Sequence, residues 1–477
     1  VLRLIAVLVA FAVLALPSAA AASRPLYTGM SGVYDYVPLA YQRVRATGAS
    51  FVRIGVPWGS IAPKEQPAQW QPTDPGDPNY DWGHVDGAVT NAVAAGLAPV
   101  LMINSVPSWA EGCFAPPDYP EASCKPDAGA LAQFATAVAR RFSGGFGGLP
   151  RVNYWQGLNE PNLSLYFLPQ LEGDTPVSAD LYRPIANAFY AAIKAVDPSN
   201  LVLAAGLGPN YVPGLTVGPL QFTEELLCMT GGSKPRPEPG DCGGGVDFDI
   251  FDIHPYTSGG PTHEGGSTDV QLGDLPQLHE LLQAAERAGR IHGSLPHVHL
   301  WVNEFSWDSK PPDPNGLPLK IETRWTSEAL YRAWQAGVDH FFWYGLRDEP
   351  LIPGQPSSFT AQSGLYFRGD SLAADKPKRV FYAFRFPFVA YSENGRLQFW
   401  GRTPTSGPGK VKVQLKRGKA WRTVKTLSGG SNGVFQARIR TSYGSGKKGA
   451  ARAVFGGTRS VPFSMRPVPD FEQPPFG

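Results

Sequence analysis

Two glutamates end short apolar runs: Glu160 in Tyr154-Trp155-Gln156-Gly157-Leu158-Asn159-Glu160-Pro161-Asn162, and Glu304 in His299-Leu300-Trp301-Val302-Asn303-Glu304-Phe305-Ser306-Trp307. A pair of carboxyl groups facing one cleft is what cleavage of a glycosidic bond requires. The anomeric carbon passes through an oxocarbenium-like transition state, so one carboxyl protonates the departing oxygen while the other attacks the carbon or activates water. A separation of ~5 Å serves retention and ~6.5–9.5 Å serves inversion, a distance the sequence leaves open. Taken alone, Asn159-Glu160-Pro161 is an ordinary strand-end turn in which Pro161 biases Glu160 towards extended backbone. The elements around it therefore carry the argument.

Those elements alternate. Strand-like apolar runs cover 27–33, 51–58, 99–104, 152–158, 201–206, 248–254, 297–302 and 340–343. Amphipathic, helix-like runs follow them at 39–47, 84–95, 128–142, 179–196, 222–229, 275–288, 322–336 and 376–386. Gly96, Gly289, Gly337 and Pro198 sit where helices must stop. Eight such units predict a (β/α)8 barrel over residues 23–389, and no Gly-rich phosphate loop follows the first strand to favour a doubly wound sheet. Glu160 then follows the fourth strand and Glu304 the seventh, both at the C-terminal rim. After residue 389 the texture changes to closely spaced alternating runs with Gly, Ser and Lys between them. This predicts a small all-β sandwich over 390–466, with a Pro-rich tail at 467–477.

With that placement the chain resembles the clan A retaining glycoside hydrolases over the whole barrel. The resemblance implies an acid/base role for Glu160 and a nucleophile role for Glu304. It also implies that Arg53, in Phe51-Val52-Arg53-Ile54, bonds the nucleophile, that Asn159 binds the sugar 2-hydroxyl, that His254 and Tyr256 serve the strand-6 positions, with the Tyr256 phenol orienting Glu304, and that Trp343 floors the sugar site. The segment Met102-Ile103-Asn104-Ser105-Val106-Pro107-Ser108-Trp109 lacks the His of family 5 and is closer to family 39, whose members act on several different sugars. Trp109 and Trp307, with Trp58, Tyr166 and Tyr344, lie near predicted strand ends, where aromatic faces stack on pyranose rings. The substrate implied is an oligo- or polysaccharide. The rival reading is a barrel that binds carbohydrate without turnover.

Bulk features bound the rest. Residues 1–22 read as a secretory leader, with one Arg, an apolar run and a small-residue end, and no other stretch is long enough to span a membrane, so the expectation is an exported protein. Four cysteines form two close pairs, Cys113 with Cys124 and Cys228 with Cys242. Three connectivities are possible, and local disulfides are favoured over a metal site because neither pair has ligand spacing or a nearby His. No His-Glu-x-x-His motif occurs, so neither metal nor organic cofactor is expected. Residues 390–477 carry 16 Lys and Arg against 3 Asp and Glu, a balance of +13, leaving −11 for residues 1–389. That asymmetry suits either an anionic polymer as partner or packing against the acidic barrel, with Trp400 and Trp421 available for the latter, and no specific nucleic acid is expected.

Overall fold

The computed structural model describes residues 24–119, 122–239, 244–393, 395–405, 407–430, 432–440 and 449–465. The expected leader and the Pro-rich tail lie outside the described residues. Eight parallel strands close into a barrel: β1 (Tyr27–Ser31), β2 (Phe51–Pro57), β3 (Ala98–Asn104), β4 (Tyr154–Gly157), β5 (Leu201–Leu207), β6 (Ile250–Ile253), β7 (His299–Val302) and β8 (His340–Tyr344). Each pairs with its neighbours in sequence, and β1 pairs with both β2 and β8. The strands are apolar on both sides because helices cover the outside while side chains fill the inside.

The covering helices are α1 (Pro38–Ala46), α2 (Gly83–Ala94), α3 (Ala128–Arg141), α4 (Ser178–Val196), α5 (Pro219–Leu226), α6 (Leu275–Arg287), α7 (Leu319–Gln335) and α8 (Arg379–Arg385). In α4 the buried residues Ala179, Tyr182, Ile185, Ala186, Phe189 and Ile193 recur at helical spacing and face the barrel. Asp127 caps α3 by accepting from the Ala130 N–H at 2.6 Å. Gly96, at φ +75°, ends the turn after α2, a conformation that costs a residue with a Cβ.

Inside the barrel, Phe51, Val100, Leu203, Ile250, Trp301 and Phe342 form one apolar plug. The plug is close-packed: a Cβ on Gly29 of β1 would stand 2.4 Å from the Phe342 ring. The chain after the barrel forms two antiparallel sheets. One joins β9 (Phe388–Glu393), β10 (Arg396–Arg402) and β13 (Val434–Arg440); the other joins β11 (Gly409–Arg417), β12 (Ala420–Gly429) and β14 (Ala450–Phe455) with two short strands. Strand β9 starts two residues before the expected 389/390 boundary, so the junction lies inside a hydrogen-bonded element. No helix among the described residues is long and apolar enough to cross a membrane.

Candidate active site

Strand alternation builds the site. Two residues beyond plug positions, on the same inward phase, the side chains turn polar: Arg53 follows Phe51, Asp252 follows Ile250 and Asn303 follows Trp301, while Gln156 follows the inward Tyr154. These four are buried and bonded across the barrel. Arg53 donates from Nε to Gln156 Oε1 at 2.9 Å and from Nη2 to Asn159 Oδ1 at 2.6 Å. Its third group, Nη1, donates to Glu304 Oε1. Gln156 Oε1 also accepts from Asn303 Nδ2 at 2.8 Å, and the Asn303 N–H donates to Asp252 Oδ1 at 3.0 Å.

The next positions along the chain carry the titratable groups. His254, immediately beyond β6, bonds Glu160 Oε1 through Nδ1 and Asn303 Oδ1 through Nε2, each at 2.7 Å. Because Asn303 Nδ2 is spent on Gln156, its oxygen must accept, which fixes a proton on His254 Nε2. The Tyr256 hydroxyl donates to Glu304 Oε2 at 3.1 Å. One ligand atom from each of Glu160, His254 and Glu304 lies within 4.8 Å of the others, so the two carboxyl groups approach to that distance.

Glu160 is set by strain as well as by pairing. Leu158 and Glu160 both have left-handed backbones, φ +64° and +42°, in place of the extended form that Pro161 favours. Such residues cost about 1–3 kcal/mol each and persist where surrounding structure imposes them. Here the Leu158 N–H donates to Ile103 O at 3.0 Å and the Glu160 N–H to Gly206 O at 3.1 Å, tying the turn to β3 and β5.

Electrostatics separate the two carboxyls. Burial raises the pKa of Glu160, and the bond from His254 only partly offsets it. For Glu304 burial acts the same way, but the charges of His254 and Arg53 and the bonds from Tyr256 and Arg53 outweigh it and hold the group below the usual carboxylate range. Burial would keep His254 neutral, yet Glu304, Asp252 and Glu160 together push it up to about 10. Glu160, His254 and Glu304 could ligate a cation by distance alone. The two ring nitrogens of His254 are already engaged, however, Nδ1 with Glu160 Oε1 and Nε2 with Asn303 Oδ1, so ligation would break one of those bonds.

A cleft of about 330 Å³ opens over Glu304, Arg53 and Asn159, walled by Tyr34, Tyr166, Tyr344 and Asn104. That is within the ~300–1,000 Å³ of small-molecule clefts. Tyr34 and Tyr344 hydroxyls meet at 2.5 Å across its edge. A second cavity, about 590 Å³, adjoins it at Tyr344 and is lined by Tyr256, Trp307, Asp308 and Asp313.

The sequence-predicted aromatics divide. Trp307 lies at the second cavity, its indole N–H held by Gly259 O at 3.2 Å. Trp109 lines neither cavity; it donates to Pro63 O at 2.8 Å and packs edge-on against Trp58 and Trp70 behind the wall. Trp58 is fully buried and stacked on Phe134. Trp343 is a correction: it points outward from β8, fully buried against Phe305 and Phe384, and donates to Ser363 O at 2.7 Å. Its neighbour Tyr344, on the inward phase with Phe342, takes the place in the cleft. Cys113 and Cys124 form a disulfide that braces the segment bearing Ser123, a cleft residue. Cys228 is disulfide-bonded too, and Cys242 lies outside the described residues. Gln156, Asp252 and Asn303 were not singled out from sequence. Their signal is a polar residue interrupting an apolar parallel strand, in phase with the rim.

Comparison with solved structures finds the same fold in other proteins, glycoside hydrolases among them. A family 39 glycoside hydrolase from the gut symbiont Bacteroides cellulosilyticus WH2 superposes with a TM-score of 0.52 at 15% identity, covering 87% of this chain and 79% of that one. A monomeric β-xylosidase from Caulobacter crescentus CB15 gives 0.51 at 14% identity, covering 88% and 96%. The GH39 enzyme from Xanthomonas axonopodis pv. citri gives 0.50 at 15%, covering 88% and 93%. At these identities the likeness is one of fold. No protein-family model and no curated protein sequence matches the chain.

Proposed function

We propose that this chain is a retaining glycoside hydrolase of the clan A type, acting on an oligo- or polysaccharide with Glu304 as nucleophile and Glu160 as acid/base. The observation that carries the reading is a carboxyl pair within 4.8 Å whose surroundings push the two pKa values apart, one up and one down. Pairs close to ~5 Å leave no room for an inverting water between them, and opposed environments assign acid and base. The Cys113–Cys124 disulfide supports an exported enzyme.

In the first step a Glu304 oxygen forms a bond to the anomeric carbon as the bond from that carbon to the leaving oxygen breaks, and Glu160 gives its proton to that oxygen. His254 Nδ1 engages Glu160 Oε1 at 2.7 Å, which leaves Oε2 as the oxygen from which the carboxyl proton passes to the leaving group. Arg53 and Tyr256 hold Glu304 ionised and aimed. In the second step water attacks the anomeric carbon, Glu160 takes a water proton, and the bond to Glu304 breaks. Charge then alternates between the two carboxyls while His254 and Arg53 stay fixed, so little reorganisation accompanies either step.

The test is azide rescue, after an aryl glycoside panel finds the sugar. Glu160→Ala is expected to yield a glycosyl azide of retained configuration and Glu304→Ala one of inverted configuration. Turnover near the wild-type rate in either variant refutes the assignment.

A further inference from the structure

Between Glu393 and Asp470 the sequence contains no acidic residue at all, and the basic residues it does contain are not scattered. Strand register sorts them. In the second sheet Lys410 pairs with Ser428, Lys412 with Thr426 and Val454, and Gln414 with Thr423 and Arg452, while Val454 pairs with Arg459. Paired residues share a face, so Lys410, Lys412, Arg452 and Arg459 emerge on one side. The bond from Arg452 Nε to Gln414 Oε1, 2.9 Å, agrees with that sorting. The opposite face, with Val411, Val413, Leu415, Ala451 and Ala453, is buried.

Two ordinary explanations fail for this face. Charges that point along an edge strand prevent edge-to-edge pairing, and Arg422 and Lys425 on the edge strand β12 serve that purpose. Strand β11, however, lies between β12 and β14, so Lys410 and Lys412 protect no edge. Packing against the acidic barrel also fails, because the barrel is met elsewhere. Trp400 of β10 packs on Tyr331 and Trp334 of α7 at 5.5 and 5.7 Å, Tyr391 of β9 donates to Glu328 at 3.2 Å, and Arg324 lies over Phe463 at 4.2 Å. Among the described residues no ion pair joins Lys410, Lys412, Arg452 or Arg459 to a carboxylate.

We infer that this outward face binds an acidic polysaccharide bearing carboxylates at regular intervals, and that it anchors the protein on such a polymer. Residues two apart on a strand stand about 7 Å apart, and strands are about 4.8 Å apart. The face thus offers cations in a repeating array, which suits a polymer of anions better than a single one. Between the cations stand hydroxyl and amide groups, Ser428, Thr426, Thr423 and Gln414, which suit a polyhydroxylated chain. Single-stranded nucleic acid needs open aromatic platforms, and the one large ring here, Trp421, has Arg452 lying over it at 4.2 Å. A membrane surface needs exposed apolar anchors, and the apolar groups on this face are Trp421, covered by Arg452, and Val454, both half-buried. The barrel, with its opposite charge, repels the same polymer, so the anchored protein is held by one end with its cleft free. The inference does not depend on the catalytic reading.

The experiment uses the full chain, with polygalacturonate as probe, dextran as the neutral control and duplex DNA as the competing polyanion. Two variants of equal charge change are compared: Lys410→Glu with Lys412→Glu on the face, and Arg422→Glu with Lys425→Glu on the edge. Wild type is expected to bind polygalacturonate but not dextran at roughly 20 mM salt and to release it by roughly 0.3 M, because exposed charges are screened over that range. The face variant loses about tenfold or more in affinity and the edge variant less than about threefold, because the local field depends on where the charges stand. No binding to polygalacturonate, equal loss in the two variants, or tighter binding of DNA than of polygalacturonate each overturns the inference.

Discussion

Replacing Arg53 by Met removes a cation that is 6% exposed and donates to three acceptors, Glu304, Asn159 and Gln156. Removing one member of a buried ion pair costs about 3–5 kcal/mol. If about 3 kcal/mol of that is lost by ionised Glu304 and not by its neutral form, then at 1.36 kcal/mol per unit its pKa rises by about two units. His254 still faces Glu304 and keeps the rise from being larger. The assay is the pH dependence of kcat/KM on an aryl glycoside whose leaving group needs no proton, so that the acid limb reports the nucleophile of the free enzyme. Arg53→Met is expected to move that limb upward by about two units, whereas Arg53→Lys, which keeps the charge, moves it by less than about one. Stability gives a check that needs no substrate. A depressed folded pKa contributes stability that is present above the unfolded value, near 4.5, and is lost as pH falls through the folded value. The gap in Tm between wild type and Arg53→Met should therefore be widest above pH 5 and narrow in acid. An acid limb that stays in place in a folded Arg53→Met enzyme, or that moves equally in both variants, refutes the argument that Arg53 keeps Glu304 ionised.

Three further outcomes follow from side chains around the barrel. Glu322 in α7 is fully buried, neither carboxyl oxygen has a hydrogen-bond partner among the described residues, and burial pushes it up to about 8, with Lys378 only partly opposing. Its raised folded pKa means that stability present below about 4.5 is lost as pH rises to about 8, so the Tm of Glu322→Gln relative to wild type should increase steadily across that window. A Tm difference independent of pH would refute this. The phase of β8 predicts that Trp343→Leu costs about 2–4 kcal/mol of stability, read by denaturant unfolding, with KM unchanged. Tyr344→Phe, losing the bond to Tyr34, raises KM severalfold and costs less than about 1.5 kcal/mol of stability. The reverse pattern would place Trp343, and not Tyr344, at the sugar.

The sequence by itself determined the barrel and the rim placement of Glu160 and Glu304. Apolar runs of strand length alternating with helical periodicity leave few other folds, and counting the runs puts the glutamates after β4 and β7. It also determined the charge asymmetry, which is only composition. What it did not determine was phase. The strands of a closed parallel barrel are buried on both faces, so alternation carries no polar-out signal, and Trp343 and Tyr344 are equally apolar candidates for the cleft. Closure of the barrel decides between them by putting Tyr344 in step with Phe342. The same closure brings Arg53, Gln156, Asp252 and Asn303, spread over 251 positions of chain, into one bonded layer beneath the carboxyls. Separation in sequence hides such a network, because each member alone reads as a single polar interruption. In the small sheet the alternation of Lys410 and Lys412 with Val411, Val413 and Leu415 already sets which side is polar; the strand pairing that brings Arg452 and Arg459 onto that side was the tertiary outcome.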